Sequence, residues 1–214
     1  MNLNPSLTWL CPNLKINNMI MFSEDKHEYS YEGRKVAGVT AILKSMGIVD
    51  FKNIPDEVLE RALKFGIAVH KGCELEDKHN LEWDTLDPAL KPYIYGWIMF
   101  KKQWNFEIEK IEHIVFSKKY WFAGRLDRVG ILNGKRAIVD IKTGVTDSAT
   151  AIQTAGYSIA YNEGKSVKDK VRGRVGIFLK GDGEYRMEVY NDKKDESIFL
   201  SALTIYNWRI KNGK

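Results

Sequence analysis

Cysteine is scarce in this chain, and long apolar runs are missing from it. Its two cysteines, Cys11 and Cys73, lack the spacing of a metal-binding motif, and a disulfide scaffold would need more cysteines in a shorter chain. No apolar run approaches the ~18 residues of a membrane span, and residues 1–12 are polar and contain two prolines, unlike a signal peptide. We therefore expect a cytoplasmic protein with reduced thiols and no membrane contact.

Internal repeats, low-complexity tracts and obvious linkers are also missing from the sequence. Its 214 residues are enough for one well-buried domain and too few for two, so we expect an arm at 1–20 and a single domain at 21–214.

With 33 Lys and Arg against 28 Asp and Glu, the net charge is +5, which suits a polyanionic partner without establishing one. There is no Walker sequence, which excludes a helicase or ATPase of that type.

The apolar periodicity predicts both helices and strands along the chain. One hairpin is expected at 22–39, turning at Glu32-Gly33, and a later one turns at Gly181–Gly183. We expect the remaining elements as helices at 55–75, 87–104, 148–162 and 194–211, and strands at 107–117, 121–132 and 135–142. This order predicts a mixed α/β (α+β) domain with one central sheet flanked by helices.

The segment around Asn133-Gly134 carries the most informative residues. Asn-Gly between two apolar, β-rich runs is typical of a two-residue type I′ turn, which fixes the register of the two strands. On that register Asp127 directly faces Asp140, with Cβ atoms about 5 Å apart, and Lys142 lies on the same face. Like charges directly opposite each other destabilise a sheet. Either a divalent cation neutralises them, or the three residues form a salt-bridged Asp–Lys cluster.

The chemistry of this group of side chains favours the cation. Carboxylate oxygens select a hard ion such as Mg²⁺ or Mn²⁺ rather than zinc, and two protein carboxylates leave positions open for water and substrate. Such a site suits phosphate-ester hydrolysis. Lys142 could then orient or deprotonate a water, or stabilise the charge of the transition state.

Four short motifs follow one another along the chain in a fixed order. They are Gly66–His70 on a predicted helix, Gly124–Asp127 and Asp140–Lys142 on the central hairpin, and Gln153–Tyr157 on the next helix. Taken together they resemble the RecB-like branch of the PD-(D/E)XK nuclease superfamily, which implies a restriction-endonuclease-like core. Leu126 stands in place of the proline of the superfamily name, and the second acidic position is aspartate rather than glutamate; both variations are common in this branch.

The resemblance implies roles for five residues of the first three motifs. Asp127 and Asp140 would ligate the metal together with the main-chain carbonyl of Ile141. His70 would add a ligand from its helix, and Lys142 would be the catalytic lysine.

The resemblance also implies residues that contact the substrate. Gln153 and Tyr157 would line the site and contact DNA, and their i,i+4 spacing places them on one helical face, which Tyr161 extends. Arg125 could contact phosphates, and Glu74 shares a face with the helical histidine, although a solvated or packing role is an alternative for each. Ordinary surface charges are expected at Glu76 and Asp77.

The function implied is that of a Mg²⁺- or Mn²⁺-dependent deoxyribonuclease, an exonuclease or end-processing enzyme in recombination, repair or phage DNA metabolism. One alternative is a DNA-binding or scaffold subunit that keeps the fold without cutting. Another is a structure-specific endonuclease with the same chemistry. DNA is the expected partner, with a homo-oligomer or a recombination or replication protein as further partners.

Overall fold

The computed structural model describes residues 20–24, 28–49, 54–144 and 148–213. The predicted arm lies outside these residues apart from Ile20, as does Cys11, whereas Cys73 is a buried free thiol. The strands are β1 (Met21–Ser23), β2 (Glu28–Tyr31), β3 (Arg34–Gly38), β4 (Glu107–Ser117), β5 (Phe122–Leu132), β6 (Lys135–Lys142), β7 (Gly173–Leu179) and β8 (Tyr185–Val189). The helices are α1 (Val39–Ser45), α2 (Asp56–Asp77), α3 (Lys91–Gln103), α4 (Ala149–Asn162) and α5 (Lys194–Lys211), with a short 3₁₀ turn at Val167–Asp169.

The central hairpin forms as its Asn-Gly pair predicts. Asn133 and Gly134 have φ values of 47° and 76°, the left-handed conformations that a type I′ turn requires at both positions. Leu132 therefore pairs with Lys135, and the alternation of side chains along β5 and β6 is fixed from the turn outwards.

Strand β5 changes its hydrogen-bonding partner along its length. It pairs with β4 over almost its whole length, but with β6 only from Arg128 to Leu132. Near its start it instead pairs in parallel with β3, at Phe122 and Ala123. The whole forms a mixed eight-stranded sheet. In it β6 pairs in parallel with β7, and β7 pairs antiparallel with β8. The predicted mixed α/β fold is confirmed.

Helices cover both faces of this sheet. On one face α1, α4 and α5 pack on apolar side chains such as Leu126 and Ile138. On the other, α2 and α3 pack on Val139 and Ile141. Strand β6 is thus buried on both faces, so a charged residue in it must find a partner within the protein or a ligand.

Two element boundaries differ from the sequence-based prediction. The expected first hairpin is a three-stranded unit whose last strand ends at Gly38, where α1 begins. Helix α3 begins at Lys91 rather than at 87, because the side chain of Asp87 accepts a hydrogen bond from the Ala89 N–H and holds a separate turn there. No described helix is both long and apolar enough to cross a membrane.

Candidate metal centre

The β5–β6 ladder opens just where the two aspartates approach each other. Its last pair is Arg128 with Val139, one position before Asp127 and Asp140. The predicted register therefore holds up to that pair, where the ladder ends and β5 pairs further along with β3; the direct facing of Asp127 and Asp140 stays a prediction. The Asp127 carboxylate instead accepts a hydrogen bond from the Ile141 N–H at 2.7 Å, so a side chain replaces the missing backbone partner.

Asp140 and Lys142 lie on the face of the sheet that α4 covers. The Lys142 ammonium is 2.6 Å from Asp140 Oδ2 and donates a hydrogen bond to Gln153 Oε1 at 3.2 Å. Gln153 in turn donates to the Tyr157 hydroxyl at 2.9 Å. Residues from β6 and α4 that the resemblance predicted as site residues are thus joined in one chain of contacts.

A glycine on β5 lets α4 come this close. A Cβ on Gly124 would lie 2.5 Å from Tyr157 Cε1 and 3.2 Å from Val39 Cγ2, both closer than atoms normally approach. The glycine of the Gly124–Asp127 motif therefore makes room for the tyrosine ring, which is 4% exposed.

Helix α2 brings a histidine to the other side of Asp127. His70 Nδ1 is 3.6 Å from Asp127 Oδ1. One turn earlier, a Cβ on Gly66 would lie 3.3 Å from Thr143 Oγ1. The small residue thus keeps α2 near the end of β6, as the motif order implied.

Glu112 on β4 completes a group that the sequence did not reveal. One ligand atom each from His70, Glu112 and Asp127 lies within 4.8 Å of the others; we call these residues the His–Glu–Asp cluster. Glu112 has a φ of 46°, a left-handed backbone that costs a non-glycine residue about 1–2 kcal/mol and that often marks functional sites. Glu112 could be predicted as a site residue only from the pairing of β4 with β5 across the tight Lys118–Trp121 connection, and the sequence indicated that pairing only weakly.

The surroundings push the pKa values of the two aspartates in opposite directions. Burial alone would raise the pKa of Asp127, but His70, Lys142 and the Ile141 N–H outweigh it and hold the value well below its usual range. Burial raises the pKa of Asp140 to about 6, with Lys142 opposing the rise and the Asp127 charge adding to it. Two nearby groups whose environments separate their pKa values are typical of a catalytic site.

The other members of the cluster respond to the same charges. Burial lowers the pKa of His70, but the Asp127 carboxylate outweighs it and leaves the value raised. Burial and the Asp127 charge raise the pKa of Glu112, against the pull of Arg128. The negative charge of Asp127 therefore acts to raise the pKa values of His70, Glu112 and Asp140.

These residues fit a hard divalent cation. Asp140 Oδ2 is buried, and the Lys142 ammonium lies 2.6 Å from it. A buried carboxylate needs a positive charge beside it, and Lys142 and a bound cation would share Asp140. Carboxylate and carbonyl oxygens from Asp127, Asp140 and Ile141, with an imidazole nearby, form the type of donor set that Mg²⁺ and Mn²⁺ accept.

A cleft of about 710 Å³ opens over the His–Glu–Asp cluster, and Asp140, Lys142 and Gln153 are not among the residues that line it. His70, Glu112 and Asp127 line it, together with Arg125 and Tyr157. The Arg125 guanidinium stacks over the Phe22 ring at 4.9 Å and pairs with Glu112 at 3.2 Å, which places a cation at the wall of the cleft.

Two candidate residues are not brought into the group. Glu74 reaches the cleft, but its carboxylate pairs with Lys71 and Lys78 on its own helix, at 2.9 and 2.5 Å. Tyr161 packs edge-on against His113, and its ring lies under the Lys165 ammonium, two turns of α4 beyond Gln153 and outside the cleft lining.

Asp77 corrects a prediction more sharply. It was expected at the surface, but its side chain is fully buried and pairs with Arg128 and Lys101, each at 2.6 Å. The indole N–H of Trp97 also donates to it, at 2.8 Å. An aspartate at the end of an amphipathic helix gives no local sign that a buried arginine from a distant strand will meet it.

Comparison with known proteins places this geometry in a family. No curated protein matches the chain. Among solved structures, SSO0001 is 16% identical over 63% of this chain and 69% of its own, with a TM-score of 0.32, and at that score the likeness adds nothing to the fold. Residues 50–205, which contain every side chain of the centre, match a family. This chain belongs to the PD-(D/E)XK nuclease superfamily.

Proposed function

We propose that the chain is a divalent-metal-dependent deoxyribonuclease of the RecB-like branch, acting as an exonuclease or end-processing enzyme in recombination, repair or phage DNA metabolism. Nucleases of this superfamily use divalent metals. The observation that carries the proposal is the meeting of Asp127, Asp140 and Lys142 at the open end of the β5–β6 ladder. The branch is supported by His70 on α2 and by the Gln153–Tyr157 pair on α4.

Each side chain has a distinct task in this proposal. Asp127, Asp140 and the Ile141 carbonyl hold the metal, with His70 and Glu112 at hand from two further elements. A bound Mg²⁺ or Mn²⁺ supplies a water of lowered pKa and stabilises negative charge on the phosphoryl oxygens. The Ile141 N–H keeps the Asp127 carboxylate in place before any ligand arrives.

Lys142 is the residue placed to act on the attacking water or on the phosphate. Its ammonium is held between Asp140 Oδ2 and Gln153 Oε1, so its position is fixed by two oxygen atoms from different elements. A cation fixed in this way stabilises the charge that develops on the phosphate without further reorganisation. Gln153 holds the lysine directly, and Tyr157 acts on it through Gln153.

The DNA backbone enters along the cleft in this proposal. Arg125 is 32% exposed on its side chain and stands at the cleft wall, where it contacts a phosphate. The net charge of +5 favours a polyanion approaching from solution.

The test is cleavage of end-labelled linear DNA with Mg²⁺, with Mn²⁺ or with EDTA. We expect metal-dependent release of products by the wild type and none by Asp140→Asn. Asp169→Asn serves as a matched control, because Asp169 is exposed in the 3₁₀ turn and accepts a hydrogen bond only from the Ser166 hydroxyl among the described residues. Cleavage that survives EDTA or the Asp140→Asn change would contradict the proposal.

Closed circular DNA separates the remaining alternatives. An exonuclease spares the circle and degrades the same DNA once it is linear. Cutting of the circle would indicate an endonuclease, and metal-independent DNA binding without any cutting would indicate a scaffold subunit. An RNA of the same sequence tests whether the substrate is limited to DNA.

A further inference from the structure

Helix α2 meets strand β5 at two neighbouring points. His70 approaches Asp127, and Asp77, seven residues further along the same helix, pairs with Arg128, the next residue of the strand. Seven residues are close to two full turns of an α-helix, so both side chains leave α2 on the same side. The helix is therefore held against the strand at two successive positions.

The Arg128 side chain is fully buried and contacts three separate parts of the protein. Its Nε donates to Asp77 Oδ2 at 2.6 Å. Its Nη1 donates to Glu112 Oε1 at 3.0 Å and to the main-chain carbonyl of Asp127 at 2.7 Å. One guanidinium thus joins α2, the carboxylate on β4 and the backbone that carries the first aspartate.

Asp77 is itself held firmly in place. Its other oxygen accepts hydrogen bonds from Lys101 at 2.6 Å and from the Trp97 indole at 2.8 Å, both on α3. Burying this many charged groups carries a desolvation cost, and buried ion pairs are weak evidence for stability. A role in geometry accounts for the arrangement better than a role in stability.

We propose that the Asp77–Arg128 pair positions the His–Glu–Asp cluster for the divalent metal, a role that rests on the proposed function. Arg128 directly sets the position of the Glu112 carboxylate and of the Asp127 backbone. Through Asp77 it also fixes how far α2 is shifted along β5, and therefore where His70 lies. Neither Asp77 nor Arg128 touches the metal or the substrate, so both act through other residues. Partners that orient metal ligands in this way typically change metal affinity 10- to 100-fold when they are lost.

The variant that tests this role replaces both partners together, as Asp77→Leu with Arg128→Met. Single replacements would leave an uncompensated buried charge, whereas apolar residues of similar size often preserve stability. The matched control is Glu109→Leu with Arg136→Met, which removes an Arg–carboxylate pair of two 2.7 Å hydrogen bonds at the turn end of the hairpin.

The main measurement is the dissociation constant for Mn²⁺, followed by electron paramagnetic resonance without DNA. We expect it to rise about 10- to 100-fold in the Asp77–Arg128 double variant and to stay unchanged in the control, while circular dichroism shows both variants folded. A folded double variant that binds Mn²⁺ as the wild type does would overturn the role. If the double variant fails to fold, Arg128→Lys keeps the buried charge. Arg128 makes its contacts from two separate nitrogen atoms, Nε and Nη1, which one lysine nitrogen cannot replace together, so wild-type Mn²⁺ affinity in that variant would also overturn it.

A second measurement needs neither metal nor DNA. The Ile141 N–H bonds to the Asp127 carboxylate, so its hydrogen exchange reports how well that carboxylate is held. We expect faster exchange at Ile141 in the double variant and wild-type exchange in the control. A wild type that binds no Mn²⁺ would contradict the proposed function. The exchange rate at Ile141 would still test the positioning role, because unchanged exchange in the double variant would overturn that role.

Discussion

The two ends of the β5–β6 hairpin differ although the same two strands form both. At the turn end, five successive backbone pairs lead from Leu132–Lys135 to Arg128–Val139, and Arg136 pairs with Glu109 on the neighbouring strand β4. At the open end the ladder stops after Arg128–Val139, and the Asp127 carboxylate accepts a hydrogen bond from the Ile141 N–H. The Glu109 carboxylate at the turn end pairs with an arginine beside a continuous β5–β6 ladder, whereas the aspartates at the open end lie where backbone pairing has stopped and a ligand can enter.

Removing a carboxylate at each end should show the largest contrast. We expect Asp127→Asn to lower the cleavage rate on the order of 10³-fold or more, because it removes a metal ligand and the acceptor for the Ile141 N–H. Glu109→Gln at the turn end should change the rate less than about twofold, as is usual for a partly exposed ion pair. Single-turnover cleavage with saturating Mg²⁺ measures both, and equal effects would end the distinction between the two ends.

Replacing Lys142 should give the next largest effect. We expect Lys142→Met to lower kcat on the order of 10²-fold or more with little change in KM, because the fixed ammonium acts on the charge of the transition state. Lys135→Met, at the turn end of the same strand, is the matched control and should leave kcat unchanged. A loss that appears in KM alone would show that Lys142 binds DNA rather than assisting the reaction.

Adding a methyl group to a glycine at each end separates packing from backbone conformation. Gly124→Ala should cost about 1–3 kcal/mol of unfolding free energy, because the new Cβ would meet the Tyr157 ring at 2.5 Å. Gly134→Ala should cost about 1 kcal/mol from its positive φ alone, since nothing lies within 4 Å of its Cβ position. Urea unfolding measures both, and cleavage assays should show activity lost only in Gly124→Ala.

The pH dependence of stability should have opposite signs at the two ends. The raised pKa of Asp140, about 6, means that the metal-free folded state holds more protons than the unfolded state between about pH 4 and 6, so it loses stability as the pH rises through this window. In EDTA at pH 8, Asp140→Asn should therefore be more stable than the wild type by on the order of 1–3 kcal/mol, and this gain should disappear near pH 4.

The turn end provides the reverse case. The hydrogen bond from Arg136 lowers the pKa of Glu109, so its contribution is present at neutral pH and is lost as the pH falls through its titration range. Glu109→Gln should therefore lower the melting temperature slightly at pH 8 and leave it unchanged at low pH. Thermal unfolding followed by circular dichroism measures both variants, and a wild-type-like Asp140→Asn at pH 8 would contradict the expected cost of burying that carboxylate.

The regular parts of the fold could be predicted from local sequence. The Asn133-Gly134 turn, strand β6 from Lys135 to Lys142 and the bounds of α4 follow from alternation, helical periodicity and turn chemistry, which act over a few residues. The start of α3 was misjudged because Asp87 caps an isolated turn. A capping side chain alone does not show whether the turn that follows it continues into a helix.

The candidate site was only partly predictable, because some of its residues meet through contacts between distant segments. The placement of Asp140 and Lys142 on one face could be inferred from the register of the hairpin, whereas the meeting of Gln153 and Tyr157 with them was implied by the family resemblance. Glu112 and the Asp77–Arg128 pair depend on packing between elements far apart in the chain, and a charged residue gives no local sign that it is buried.

The buried pairing of Asp77 with Arg128 also has an evolutionary consequence. A lone aspartate or a lone arginine in this interior would be left without its counter-charge, so a lineage cannot easily lose one partner first. Among relatives with this arrangement we expect the two positions to change together, as an acid–base pair or as two apolar residues. The two sites are distant in sequence, and their joint substitution would be a historical record of the contact between α2 and β5.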